Sequence, residues 1–208
     1  FFSRKRWSSK IFRERYGING GVVIWPAVFF QEVDRFYAIE IFREVYSIAP
    51  DITLVVIGDG EYLGEVKTKA SSMGLKNILF VGAVPHEEIP NYYASADAGL
   101  LPLRNNHYDA CKGPIKLFEY MAMELPVIAT DVGEPREMIN KSNCGILIPF
   151  NSPEKAALMI VELFKSNEKM SELGQNGRSY LENHQSIEML SERFSRIFYR
   201  SLGKTCVR

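Results

Sequence analysis

The chain has 208 residues, 46% of them hydrophobic and 24% charged, and its twenty-five Lys and Arg balance twenty-five Asp and Glu. That length suits one well-cored soluble domain and is short for two, and a net charge of zero gives no argument for nucleic acid or a strongly acidic partner. Three widely spaced cysteines (Cys111, Cys144, Cys206) fit neither a disulfide framework nor a zinc site, and no apolar run approaches the ~20 residues that span a bilayer, so the default setting is reducing and cytoplasmic.

The opening Phe1-Phe2-Ser3-Arg4-Lys5-Arg6 is basic with no apolar stretch behind it, so it is not a secretion signal. Without an initiator Met, the chain reads as cut from a longer protein whose missing part lies on the N-terminal side. Ser9 to Tyr16 reads as a short basic helix stopped at Gly17, which makes residues 1–20 a hinge or linker helix. Arg4, Lys5, Arg6, Lys10, Arg13 and Arg15 crowd this stretch. They suit a solvated hinge, a face for a partner domain, or peripheral membrane contact with anionic lipid.

From residue 21 a strand–helix alternation begins and continues to 208. Val22 to Trp25 is an apolar run of strand length, and Asp34 to Ala49 carries Ala38, Ile41, Phe42, Val45 and Ala49 at helical spacing. Thr53 to Ile57 is apolar and β-branched at consecutive positions, as a central parallel strand covered on both faces requires. It ends in Gly58-Asp59-Gly60 and passes into a helix through about Met73. Ile78 to Val81 and Ala98 to Leu101 are the next strands, with a short helix over His86 to Ser95 between them. The loop Pro102 to Cys111 leads to a helix over Pro114 to Met123, then strands over Pro126 to Thr130 and Gly145 to Ile148. Three helices close the chain: one opened by a Ser152 cap and Pro153, one over Asn167 to Glu182, and one over Ser186 to Leu202. Strands that are apolar nearly throughout, alternating with helices, predict a doubly wound α/β domain on a six-stranded, Rossmann-like parallel sheet.

In such a sheet ligands bind beyond the carboxyl ends of the strands. Gly58 and Gly60 follow one strand and suit either close approach to a ligand or a sharp turn; a third glycine that would complete a dinucleotide fingerprint is missing. Gly82, Ala83 and Val84 follow another, as a bed for a flat base or a plain turn. Gly113 and Pro114 start a helix whose free N–H groups and dipole suit a phosphate, with Lys112 and Lys116 adding charge. Glu119, about one turn later, is placed to accept from a ribose diol, or is a surface helix residue. Gly133 and Glu134, in the stretch Asp131 to Glu137, border the same cleft or form an ordinary loop.

The blocks "LVVIGDGE", "NILFVGAVPHEEIPNYYASADAGLLPL" and "KLFEYMAMELPVIATDVGEPREMI" resemble the C-terminal domain of the family 4 glycosyltransferases, retaining enzymes of two-Rossmann-domain architecture. The likeness runs from about Val22 to Leu202. It implies that Glu119 binds the donor's ribose, that Pro114, Ile115, Lys116 and Leu117 lie along its diphosphate, and that Gly82, Ala83 and Val84 hold its base. The family's earlier glutamate, which contacts the transferred sugar, falls at Cys111. Its diphosphate-gripping Arg and Lys fall at Val28 and Val33, and Arg35 lies too far into the following helix to replace them.

The function expected is therefore donor binding in a retaining, hexosyltransferase-type enzyme of glycan or polysaccharide biosynthesis. It would move a sugar from a nucleotide-diphosphate sugar to a glycan or lipid-linked acceptor, and would need an N-terminal acceptor domain. No cofactor or metal is implied: there is no Asp-x-Asp pair, and His86, His107 and His184 stand apart. No catalytic residue can be named with Cys111 at the first acidic position. The departures at Val28, Val33 and Cys111 favour a second reading, a catalytically impaired nucleotide-sugar-binding or interaction module. A sugar-nucleotide epimerase or a nicotinamide oxidoreductase fits less well.

Overall fold

Six strands form one sheet in a computed structural model that describes residues 2–3, 7, 10–30, 36–111 and 115–202. They are β1 (Val22–Pro26), β2 (Thr53–Ile57), β3 (Ile78–Gly82), β4 (Ala98–Leu101), β5 (Val127–Thr130) and β6 (Gly145–Ile148), in the order β3-β2-β1-β4-β5-β6. Every pairing is parallel. The helices are α1 (Lys10–Tyr16), α2 (Tyr37–Ile48), α3 (Leu63–Ser72), α4 (Ile89–Ser95), α5 (His107–Ala110), α6 (Ile115–Ala122), α7 (Gly133–Ser142), α8 (Pro153–Phe164), α9 (Asn167–His184) and α10 (Ile187–Ser201).

The apolar strands divide between two cores because successive side chains leave a strand on opposite faces. Val23, Trp25, Leu54, Val56 and Leu100 point to one face, where α2, α3 and α8 contribute Phe42, Val66 and Ile160. Val22, Ile24, Val55, Ile57 and Val127 point to the other, where α4, α6 and α7 contribute Tyr93, Leu117, Met121 and Met138. Burying each large aliphatic or aromatic side chain contributes about 1.5–3 kcal/mol, which explains why the four inner strands are apolar nearly throughout. The edge strand β3 is only half-buried along its length.

Two helices inside expected loops are corrections to the sequence reading. Asp131 to Glu137 looked irregular because it contains Gly133 and Pro135, yet α7 begins at Gly133. Pro135 sits in the first turn, where an N–H has no helical partner to lose, and Asn143 ends the helix in the left-handed region at φ 49°. α5 is a single turn within the loop after β4, capped by Asn106, whose side chain accepts from the Asp109 N–H.

α1 lies against the domain body. Phe12 is buried, its ring 5.0 Å from that of Tyr92. Arg13 donates to the Ser95 and Gly20 carbonyls, both at 2.9 Å, and to Asp97 Oδ2 at 2.6 Å. Of the basic residues expected to make a hinge or membrane face, Arg13 is thus turned inward, and Arg4, Lys5 and Arg6 lie outside the described residues. No helix among the described residues is long and apolar enough to cross a membrane.

Candidate functional site

The chain moves outward through β1, β2 and β3, then returns to place β4 beside β1 before moving outward again. The strand order reverses at that seam, and the crevice above its carboxyl end is where such sheets take ligands. The β1–β4 ladder pairs only Val23 with Ala98 and Ile24 with Gly99. Beyond it, the Tyr120 hydroxyl lies 3.2 Å from the Leu100 carbonyl and 3.4 Å from that of Ile24, serving both across the seam. Its ring occupies the space that a side chain at Gly99 would need.

Gly58 and Gly60 are accounted for by packing. A methyl group on Gly58 would stand 1.8 Å from the Ala27 carbonyl oxygen, and one on Gly60 would meet the Phe29 backbone at 2.6 Å. The loop after β1 is laced onto this turn: Phe29 N–H donates to the Asp59 carbonyl and Tyr62 N–H to the Phe29 carbonyl. Val28, on that loop, is 49% exposed and apolar. Val33 and Arg35 lie outside the described residues.

At the end of β3, Gly82 has φ 90°, and a methyl group there would enter open space. Its carbonyl accepts from the Gly58 N–H at 2.8 Å, so it faces the neighbouring turn. Ala83 is exposed and Val84 half-buried. Their backbone groups have no hydrogen-bond partner among the described residues, which leaves that edge open for a base.

Lys112, Gly113 and Pro114 lie outside the described residues, so the structure describes the helix expected to meet a phosphate only from Ile115 onward. Ile115 is 72% exposed, Lys116 half-buried and Leu117 packed into the core. Glu119 is half-buried, and its Oε2 accepts from the Tyr93 hydroxyl at 2.7 Å. Cys111, an exposed free thiol, closes α5 immediately before this helix.

The loops after β4 and β5 are fastened together. Thr130 Oγ1 donates to the Leu103 carbonyl at 2.7 Å and accepts from the Leu103 N–H at 2.9 Å. Buried Asp109 accepts from the Arg104 N–H at 3.1 Å, and Arg104 Nε lies 3.4 Å from the same oxygen. Gly133 (φ 50°) sits so close to α5 that a methyl group would stand 2.2 Å from the Ala110 carbonyl. Gly133 and Glu134 therefore start a helix beside Cys111. Sequence reasoning passed over Tyr93, Thr130, Asp109 and Arg104. Only the Asn106-to-Asp109 spacing, a helix-cap pattern, offered a local signal.

One cavity lies elsewhere. About 390 Å³ in volume, it is lined by Gly20, Gly21, Asp97, Glu124, Asn167 and Gln175, at the amino ends of β1, β4 and β5. Topology places ligands at the opposite end. Among the described residues no group of three His, Cys, Asp or Glu comes together that could hold a metal ion.

Residues 10–180 match the model of the family described as glycosyl transferases group 1. The chain is 26% identical over 156 residues to the GDP-mannose-dependent monoacylated alpha-(1-6)-phosphatidylinositol monomannoside mannosyltransferase of Corynebacterium glutamicum, covering 74% of this chain and 40% of that protein. It is also 26% identical to the alpha-D-kanosaminyltransferase of Streptomyces kanamyceticus, covering 92% and 48%. The chain thus spans less than half the length of these curated relatives. Its fold is that of a Rickettsia africae glycosyltransferase structure, with a TM-score of 0.78 at 18% identity over 97% of this chain and 54% of that one. It also superposes on Anabaena HepE in complex with UDP and glucose, with a TM-score of 0.72 at 17% identity over 95% and 54%.

Proposed function

The chain belongs to the glycosyl transferases group 1 family, and from that premise we propose that it is the donor-binding half of a retaining glycosyltransferase. The donor is a nucleoside-diphosphate sugar, and the acceptor is held by another part of the same protein. The observation that carries this reading is Glu119: a half-buried carboxylate on α6, between the strands β4 and β5 that follow the strand-order reversal, held by a buried phenol. A carboxylate there accepts from both hydroxyls of a ribose. The open edge at Ala83 and Val84 takes the base, and the start of α6 with Lys116 faces the diphosphate. Arg104 adds a cation at the same end of the sheet.

Transfer needs the diphosphate to leave with its charge stabilised, so the chain's contribution is a set of donors fixed around that charge. Free thiols at Cys111 and Cys144 suit a cytoplasmic setting. Relatives named as GDP-mannose-dependent and neighbours solved with UDP make GDP and UDP the probes of choice.

Replacing Glu119 with Ala removes an ionised acceptor, worth about 1.5–3 kcal/mol. GDP or UDP affinity, measured by calorimetry on the full-length protein, should fall about tenfold or more. Unchanged affinity in a folded variant overturns the site. The second reading, a binding module without transfer, draws on an exposed apolar Val28 and a thiol at Cys111. Donor consumption by the full-length protein, followed over time, separates the two.

A further inference from the structure

Tyr93 belongs to α4, which opens between β3 and β4 and supplies none of the residues expected to touch a donor. Its side chain is 1% exposed. The ring stands edge-on to Tyr120 at 5.4 Å and lies 5.9 Å from Phe2, so neither its position nor its tilt is free. The hydroxyl leaves this apolar layer at one point, to donate to Glu119 Oε2 at 2.7 Å. Burial pushes the phenol far above its ordinary value of 10.0, so it remains a proton donor wherever the protein is folded.

Glu119 sits on α6 between Phe118 and Tyr120, and its backbone fixes only where the side chain starts. Three rotatable bonds separate that point from the carboxylate, and freezing them on binding weakens affinity. The bond from Tyr93 removes that freedom during folding. It engages one oxygen and leaves Oε1 without a partner among the described residues.

We propose that Tyr93 is a positioning residue for the donor: its buried hydroxyl fixes the Glu119 carboxylate in the orientation that accepts the ribose diol. The proposal rests on Glu119 being the ribose ligand. A purely structural bond, in which Glu119 merely satisfies a buried hydroxyl, makes different predictions.

The test is calorimetry of GDP and UDP on the full-length protein, with Tyr93→Phe, Glu119→Ala and the double variant. Phe keeps the ring packing, and the released carboxylate oxygen is near enough to the surface to meet water, so Tyr93→Phe folds. Its affinity should fall about three- to tenfold. The loss should vanish when Glu119 is already Ala, and also with dideoxy nucleotides, which lack both ribose hydroxyls. Glu119→Gln gives an independent measurement: a neutral amide whose oxygen is taken by Tyr93 can offer the diol only its NH₂ and no ionised acceptor, so affinity should fall, though less than in Glu119→Ala. If Glu119→Ala weakens binding but Tyr93→Phe does not, the positioning role is wrong and the site stands. A loss in Tyr93→Phe that persists with the dideoxy nucleotides, or full affinity in Glu119→Gln, also overturns it. If Glu119→Ala has no effect, the ribose assignment itself fails.

Discussion

A methyl group at Gly99 would stand 2.4 Å from the Tyr120 ring, and that ring is closed in on every side. Gly99→Ala should therefore cost about 1–3 kcal/mol through overpacking, read as a lower urea midpoint with an unchanged slope. Tyr93 and Tyr120 make stability depend on pH at the alkaline end. Burial raises both phenols above 10.0, so above that pH the native state keeps protons that the unfolded chain releases. Stability is at its full value below pH 10.0 and falls as pH rises further, by up to about 1.4 kcal/mol per pH unit for each tyrosine. Urea melts on either side of that pH should show the fall in the native protein and a shallower one in Tyr120→Phe. Neither tyrosine's role was legible in the sequence. "NYYASAD" and "KLFEYM" show only that aromatic residues fall within two helices, and only the packed sheet decides that Tyr93 meets a glutamate 26 positions away.

At the level of elements, α1 is held by buried Phe12 and by the polar contacts of Arg13. Arg13 makes bonds to three residues in two segments, so Arg13→Ala should cost about 1.5–3 kcal/mol, seen as a melting temperature lower by several degrees. Val22 N–H still donates to Asp97 in that variant, which keeps the carboxylate paired. α10 is the opposite case. Phe194 and Ile197 are 71% and 70% exposed, so replacing both with Ser should leave stability within about 0.5 kcal/mol in a thermal melt. The strand pattern was legible because parallel strands covered on both faces are apolar at consecutive positions. α7 was not, because Gly and Pro weaken helices only in their interior, and here both fall in the first turn.

Over the whole molecule, the loops after β1, β3, β4 and β5 open at one end of the sheet, and the strand-order reversal selects the β1–β4 seam among them. An apolar, exposed Val28 on that rim, with Val33 as the second departure, predicts weak grip on a diphosphate. Two absent charge-assisted contacts at about 1.5–3 kcal/mol each put GDP or UDP affinity in the high micromolar range or poorer. Val28→Arg with Val33→Lys should tighten it about tenfold or more in calorimetry, with the melting temperature nearly unchanged. No gain would mean the protein grips the diphosphate through other groups.

The doubly wound class and the positions of six strands followed from the sequence alone. Each depends on periodicity and strand-then-helix order, which are local properties of the backbone. Tertiary structure decided what individual residues are for. Gly58 and Gly60 suited either a ligand turn or a sharp turn in the sequence, and the structure shows the Ala27 and Phe29 backbones filling the space their side chains would take. The sequence placed Glu119 at a ribose, and only the packed sheet shows that α4 brings a buried phenol to it. Such roles come from contacts between segments far apart in the chain, and those contacts exist only once the sheet has brought the helices over its two faces.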